Sequence, residues 1–268
     1  MATSNEKAPE GLVSRPMLIH IEGNIGAGKT TLLESLMGNR KFDIVEEPIR
    51  LWTDFFGHDI LNLKYNCKEN AMQLIFQIVA NLSRIEQLSE LKSKEDEENL
   101  DPQLFPQNCK GIKIMERSLH SAFNVFTKVQ RRNGELHDLD YTVLNYMYRV
   151  FNSGAMGEMC KPDLIMYLRT TPEKCMERIR KRDRPEEHGI TLTYITQLHN
   201  AHEIWLGKRK DGKYGGWDAP CPIVYLDGDV EYGDDECKRT SPLIHQVYKE
   251  IKKLIRGKDQ LVKLTGVH

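Results

Sequence analysis

The 268-residue chain has six cysteines, Cys67, Cys109, Cys160, Cys175, Cys221 and Cys237, but no CxxC pair and no histidine beside them at zinc-finger spacing. That scatter excludes a disulfide framework and a zinc finger, and free thiols in a reducing compartment are expected. Long apolar runs are missing too: none approaches the roughly 18–20 residues that span a bilayer. Charge of one sign is not in excess, because 38 Lys and Arg face 39 Asp and Glu. Nothing therefore steers the whole chain toward nucleic acid or an anionic membrane, and neither is expected as a partner. The first sixteen residues lack an apolar core and carry Glu6 and Glu10, unlike a signal peptide or a transit helix. They are expected to form a flexible leader, which favours the cytoplasm over the mitochondrion. Internal repeats, domain linkers and the NKxD guanine motif are also absent. A GTPase is thereby disfavoured, and one domain over 17–257 with a tail over 258–268 is expected.

What is present alternates. Apolar runs at Met17–Ile21, Asp43–Glu47, Gly111–Met115, Asp163–Leu168 and Pro222–Leu226 read as five strands. Helical stretches fall between them: Thr30–Met37, Ala71–Leu91, Ser118–Arg131, Asp138–Phe151, one opening at Thr171–Pro172, and Ile244–Ile255. Residues Ser93–Gln107 read as an exposed loop. Strands alternating with helices imply an α/β fold with a parallel sheet flanked by helices on both faces.

The first strand runs into Gly23, Asn24, Ile25, Gly26, Ala27, Gly28, Lys29 and Thr30, which fit G-x-x-x-x-G-K-[ST], and a helix follows through Thr31. Glycines let successive backbone N–H groups curl toward an anion, and the helix N-terminus adds positive dipole there. Lys29 can reach the β- and γ-phosphates of ATP, and the Thr30 hydroxyl can ligate Mg²⁺. A kinase of this kind also needs cations over the transferring phosphoryl. Arg178, Arg180, Lys181, Arg182 and Arg184 cluster after the fourth strand. By itself such a cluster is ordinarily a solvated face; behind a P-loop it reads as an Arg-rich lid, with Arg178, Arg182 and Arg184 facing one site. An acceptor hydroxyl needs a carboxylate as base. Glu46–Glu47 end the second strand and Glu116 the third, which places acids beyond the carboxyl ends of strands beside the P-loop.

Five motifs in this order resemble the deoxyribonucleoside kinases: GNIGAGKT, Glu47-Pro48 followed by Trp52, Phe76–Gln77, Glu116–Arg117–Ser118, and RIRKRDRPEE from Arg178 to Glu187. The resemblance covers about residues 17 to 230. It implies a P-loop nucleoside/nucleotide kinase fold, ATP and Mg²⁺, a deoxynucleoside whose 5′-hydroxyl is phosphorylated, and a homodimer. It also implies roles. Glu47 is similar to the family's general base, with Arg117 holding it; Glu116 helps place Mg²⁺; Lys29 and Arg182 serve the phosphoryl. Gln77 would bond the base edge, Trp52, Phe76 and Phe126 would pack the base, and Tyr65 with Glu187 would read the 3′-hydroxyl. Ala122 stands where deoxycytidine- and deoxyguanosine-phosphorylating members carry Asp, and Phe123 replaces an Arg. Arg84 stands where those members pair an Arg with that Asp, so it is expected to be unpaired, free to swing away or contact the base. The small residue at 122 favours pyrimidines, thymidine or deoxycytidine, with broader use left open. Thymidylate kinases share the P-loop and lid but read EPGGT where this chain has Glu47-Pro48 and then Trp52. A non-catalytic relative of the fold would have a degraded site, whereas Lys29, Thr30, Glu47 and Arg117 are intact.

Overall fold

A computed structural model describes residues 16–37, 42–67, 70–89, 111–208, 220–230 and 241–265. The expected leader and the loop over Ser93–Gln107 lie outside the described residues. Strands β1 (Met17–Glu22), β2 (Phe42–Val45), β3 (Ile112–Glu116), β4 (Leu164–Arg169) and β5 (Ile223–Asp227) form one sheet in the order β2-β3-β1-β4-β5. Every pairing is parallel, with Ile19 opposite Ile114 on one side and Leu164 on the other. All six β1 residues are buried because helices cover both faces, which is why the strand reads as an unbroken run.

Helices α1 (Lys29–Leu36), α2 (Ile49–Thr53), α3 (Ile60–Asn66) and α4 (Asn70–Ser89) precede or follow β2. After β3 come α5 (Leu119–Ser121), a π-helical segment Ala122–Thr127, α6 (Lys128–Arg132), α7 (Asp138–Phe151) and α8 (Gly154–Cys160). Helices α9 (Pro172–Arg182), α10 (Leu192–Leu206) and α11 (Pro242–Thr265) complete the order. The core joins β1, β3 and β4 to Leu32, Leu33 and Leu36 of α1 and to Ile244, Val247 and Ile251 of α11. A smaller apolar cluster of Trp52, Ile60, Leu61, Phe76, Val79 and Ala80 lies beside it. No helix among the described residues is long and apolar enough to cross a membrane.

The five strands lie where alternation placed them, within two residues at their ends. The continuous helix expected over Ser118–Arg131 is instead interrupted: Thr127 Oγ1 donates to the Ala122 carbonyl at 2.9 Å inside the π-helical segment. Such segments re-aim side chains and often mark functional sites. The closing helix also runs further than Ile255, to Thr265. Helices α2, α3 and α10 carried no periodic signal strong enough to place them. Four described cysteines, Cys67, Cys160, Cys175 and Cys221, are free thiols.

The topology itself places a crevice. From central β1 the chain leaves toward β2 and β3, and later returns to β4 and β5 on the other side. Crossovers departing in opposite directions open a gap beyond the carboxyl ends of the strands.

Candidate active site

The turn after β1 enters that gap. Gly26 has φ +74°, and a Cβ there would meet the Cys175 carbonyl oxygen of α9 at 2.5 Å. Gly23 is equally constrained, since its Cβ would lie 2.6 Å from the Leu168 carbonyl oxygen. Only glycine lets the backbone curl this close to its neighbours. Asn24 fixes the loop from beneath: its Nδ2 donates to the Ile195 carbonyl, and its Oδ1 accepts from Ile25 N. Lys29 is buried, donates from Nζ to the Asn24 carbonyl at 2.9 Å, and lies 3.5 Å from Glu116 Oε1. Burial and the nearby Arg117 lower its pKa to about 8, against the pull of Glu116 and Glu47.

Thr30 Oγ1 donates to Glu116 Oε2 at 3.0 Å. That hydroxyl–carboxylate pair is a hard oxygen donor set of the kind that suits Mg²⁺, which keeps most of its shell as water and phosphate. Among the described residues no three His, Cys, Asp or Glu side chains converge to hold a metal without such help. The glycine cradle and this pair therefore fit a triphosphate with its Mg²⁺.

Opposite the cradle stands Glu47, two residues beyond β2. Arg117 Nε lies 3.1 Å from its Oε1 and Arg84 Nη2 lies 2.5 Å from the same atom. Burial would raise the Glu47 pKa, but Arg117, Arg84 and Lys29 outweigh it and hold the carboxyl below its ordinary range. Arg117 is itself pinned. Its φ is +63°, a left-handed conformation rare outside glycine; its N–H donates to the Ile21 carbonyl, its Nη1 to the Gly23 carbonyl, and its own carbonyl accepts from His20 Nδ1. Strain of this kind persists where surrounding bonds over-determine the residue.

The expectation of an unpaired Arg84 is overturned. With Ala122 offering no carboxylate, the buried guanidinium takes Glu47 as its partner, donates from Nη1 to the Ala80 carbonyl, and sits over the Trp52 ring at 5.2 Å. A buried cation needs a counter-charge, and Glu47 is the one its side chain contacts.

The far end of the cleft is aromatic. Trp52 and Phe76 meet edge to face with centroids 5.3 Å apart, and Phe126 packs under Arg117 at 4.9 Å. Gln77 lines the same end, and its amide is tethered: Gln77 Nε2 donates to Gln130, Gln130 Nε2 to Gln73, and Gln73 Nε2 to the Lys64 carbonyl. Phe123 turns away and stacks on Tyr148 at 4.5 Å.

On the lid, Arg182 grips Glu187 with two parallel bonds, Nε to Oε2 at 2.8 Å and Nη2 to Oε1 at 2.5 Å. Arg178 is spent differently: it donates to the carbonyls of Ala27, Gly228 and Val230 and so ties the P-loop to the turn after β5. One cleft of about 1030 Å³ is lined by Lys29, Thr30, Glu47, Trp52, Gln77, Arg84, Glu116, Arg117, Arg182 and Glu187. Ile25, Gly26, Gly28, Thr31, Tyr65, Phe76, Ala122, Phe126, Arg178 and Arg184 line it too. Gly23, Asn24 and Ala27 do not, since they support the loop from behind.

A sequence profile described as Deoxynucleoside kinase matches residues 19–256. The chain belongs to the deoxynucleoside kinase family. It is a deoxynucleoside kinase, a phosphotransferase, and kinases of this family use ATP. It is 33% identical over 214 residues to "Thymidine kinase 2, mitochondrial" of Homo sapiens, covering 80% of this chain and 72% of that one. It is 34% identical over 236 residues to "Deoxycytidine kinase" of Rattus norvegicus, covering 81% and 86%. "Deoxycytidine kinase 1" of Xenopus laevis is 32% identical over 257 residues, covering 90% and 92%.

Sequence reasoning missed two cleft features of this kinase. The Gln73–Gln130 tether joins residues 57 apart, and no local pattern announces it. Lys64 is buried and lines the cleft. A faint signal existed: Lys64 follows Ile60 and Leu61 at helical spacing, on the face where an apolar residue belongs.

Proposed function

We propose that this kinase transfers the γ-phosphoryl of ATP to the 5′-hydroxyl of a pyrimidine deoxynucleoside, thymidine or deoxycytidine. The observation that carries the reading is convergence: Lys29, Glu47 and Arg182 line a single cleft although they come from α1, the loop after β2 and α9. Relatives named for thymidine and for deoxycytidine support the choice of substrate.

Glu47 accepts the proton of the 5′-hydroxyl as that oxygen bonds to the γ-phosphorus. The bond from the γ-phosphorus to the bridging oxygen breaks, and ADP leaves with the electron pair. Two arginines keep Glu47 ionised at neutral pH, which makes it a ready but weak base. A weak base suffices because the phosphoryl group passes through a loose transition state. Arg117 aims Glu47 and ties it to the P-loop through Gly23. Lys29, Arg182 and Arg184 face the charge spreading over the phosphoryl oxygens, and Arg178 holds the cradle in place. Thr30 and Glu116 would hold Mg²⁺, which supplies positive charge to the triphosphate when bound. Trp52, Phe76 and Phe126 enclose the base, Gln77 bonds its edge, and Tyr65 with Glu187 reads the 3′-hydroxyl.

Leu139, Val143, Tyr146 and Val150 form an exposed apolar stripe along α7, beside exposed Ile75 and Leu82 of α4. That stripe supports the expected homodimer. The free thiols support a reducing compartment.

The test is steady-state phosphorylation of the four deoxynucleosides with ATP·Mg²⁺ by the wild type and by Glu47→Ala. The expected result is pyrimidine preference in the wild type and a loss of kcat of about 10²–10⁴-fold in the variant, with ATP binding retained. Full kcat in Glu47→Ala rejects the assigned base.

A further inference from the structure

Lys64 of α3 is a buried cation of the cleft that the proposed mechanism leaves unused. The residue is only 5% exposed. Lysines at a protein surface ordinarily bury the stem and carry the ammonium out to water. Those that are fully buried ordinarily pair with a carboxylate. Lys64 does neither. Nζ donates to the Tyr65 hydroxyl at 3.2 Å, its sole hydrogen bond among the described residues. Otherwise it is caged by rings, with centroids at 4.4 Å for Tyr65, 4.4 Å for Phe76 and 5.1 Å for Phe126. No carboxylate lies within ion-pair distance among the described residues.

Such a placement is unfavourable without a further polar partner. Burial, the largest effect, and the Arg117 charge push the Lys64 pKa down to about 7. Glu47 and Glu135 oppose that at longer range, and Arg84 adds to it. An ammonium has three donors and no acceptor. One donor is used, and the rings offer the others only π faces. The ammonium therefore has capacity for an oxygen acceptor brought in by a ligand. Its position narrows which oxygen. Tyr65 lies at the end assigned above to the sugar, and Phe76 and Phe126 flank the space assigned to the base. Lys64 sits between, at the junction of base and sugar. In a pyrimidine nucleoside the 2-carbonyl projects from the ring carbon next to the glycosidic nitrogen. A purine presents its ring nitrogen N3 at the corresponding place, an acceptor with one lone pair where the carbonyl has two, and in guanine the neighbouring 2-amino group adds a donor facing a donor.

We propose that Lys64 is a substrate-binding and specificity-determining residue whose ammonium donates to an oxygen of the nucleoside at the base–sugar junction, and that it selects pyrimidines over purines through the 2-carbonyl. The inference rests on the deoxynucleoside reading of this cleft. The sugar 3′-hydroxyl is the other oxygen within the same chemistry, and the experiment separates the two.

The test uses Lys64→Met, which keeps the length and apolar body of the side chain and removes the charge. Wild type and variant are assayed with thymidine, deoxycytidine, deoxyadenosine, deoxyguanosine and 3′-deoxythymidine at saturating ATP. Thymidine binding is also titrated calorimetrically without ATP. The expected result is a KM at least tenfold higher for both pyrimidines, with kcat and the KM for ATP within about threefold. Purine kcat/KM, resting on the weaker N3 acceptor, should fall by less than about threefold, so the pyrimidine-to-purine ratio falls at least about threefold. Thermal denaturation should show a higher Tm, because an uncompensated buried cation has been removed. A loss of the same size with 3′-deoxythymidine assigns the contact to the base carbonyl. A loss that vanishes with that substrate assigns it to the 3′-hydroxyl and overturns the pyrimidine selection. Pyrimidine KM values within twofold of wild type, or a lowered Tm with uniform losses for all nucleosides and for ATP, overturn the proposal and leave Lys64 a packing residue. A wild type that binds thymidine but phosphorylates none of the nucleosides sinks the kinase reading alone, since the binding titration still judges Lys64.

Discussion

Replacing Arg84 with methionine should move the pH dependence of this kinase in a calculable direction. Glu47 Oε1 is held by Arg84 at 2.5 Å and by Arg117 at 3.1 Å. Both ion pairs favour the ionised carboxyl, while burial opposes it, and the pairs win. An opposite charge at contact lowers a carboxyl pKa by about 1–3 units. Arg84→Met removes one of the two and leaves the burial penalty in place, so the Glu47 pKa should rise by about 1–2 units. Activity requires ionised Glu47 and is lost as pH falls through that pKa. The acid limb of kcat/KM, which reports the free enzyme, should therefore shift upward by about 1–2 pH units. Stability follows the same sign. A carboxyl whose folded pKa lies below its unfolded value of 4.5 stabilises the protein above pH 4.5. That contribution is lost as pH falls from 4.5 through the lower folded value. At about 1.4 kcal/mol per unit, Arg84→Met gives up roughly 1.4–3 kcal/mol of it at neutral pH. The assay is kcat/KM for thymidine from pH 3 to 8 for wild type, Arg84→Met and Arg84→Lys, because the Glu47 limb starts near pH 2 and is raised from there, with circular dichroism at each pH to confirm folding. The lysine variant keeps the charge and should stay near wild type. Superimposed acid limbs for wild type and Arg84→Met would refute the claim that Arg84 tunes Glu47.

Two further outcomes follow from the site. Gly26→Ala forces a Cβ to within 2.5 Å of the Cys175 carbonyl in a left-handed conformation. It should cost at least about 1–3 kcal/mol, visible as a lower Tm together with weaker ATP binding, and an unchanged Tm would contradict the close packing of the cradle. Ala122→Asp offers Arg84 a second carboxylate and draws it away from Glu47. The ratio of deoxycytidine to thymidine kcat/KM should rise about tenfold, in line with roughly 0.5–1.5 kcal/mol for one net hydrogen bond, and an unchanged ratio would show that this pair does not set preference.

The legible parts of this protein share a property: each is written in neighbouring residues. β1 reads as a strand because MLIHIE is covered on both faces, and the cradle reads as a cradle because eight consecutive residues build it. The lid arginines are legible as a cluster, but their partners are not. Arg178 lines the cleft with Arg182 and Arg184, and its guanidinium is bonded to the carbonyls of Ala27, Gly228 and Val230, partners that no local pattern announces. Helices α2 and α3 are not legible in the sequence because five and seven residues are too few to establish a period. The break at Ala122–Thr127 is not legible because its residues continue the pattern of the helix around it.

Composition and order alone determined a parallel α/β sheet, a phosphate cradle at the end of its first strand, carboxylates at the ends of the next two, and a cationic segment positioned to cover them. Only the tertiary structure decided that Arg84 rests on Glu47, that a glutamine relay tethers Gln77, and that Lys64 points inward among aromatic rings. The physical reason is range. Backbone preference and hydrophobic period act over a few residues. The partner of a buried charge is chosen by whichever group the fold brings within a few ångströms, and Arg84 and Glu47 are 37 residues apart in the chain.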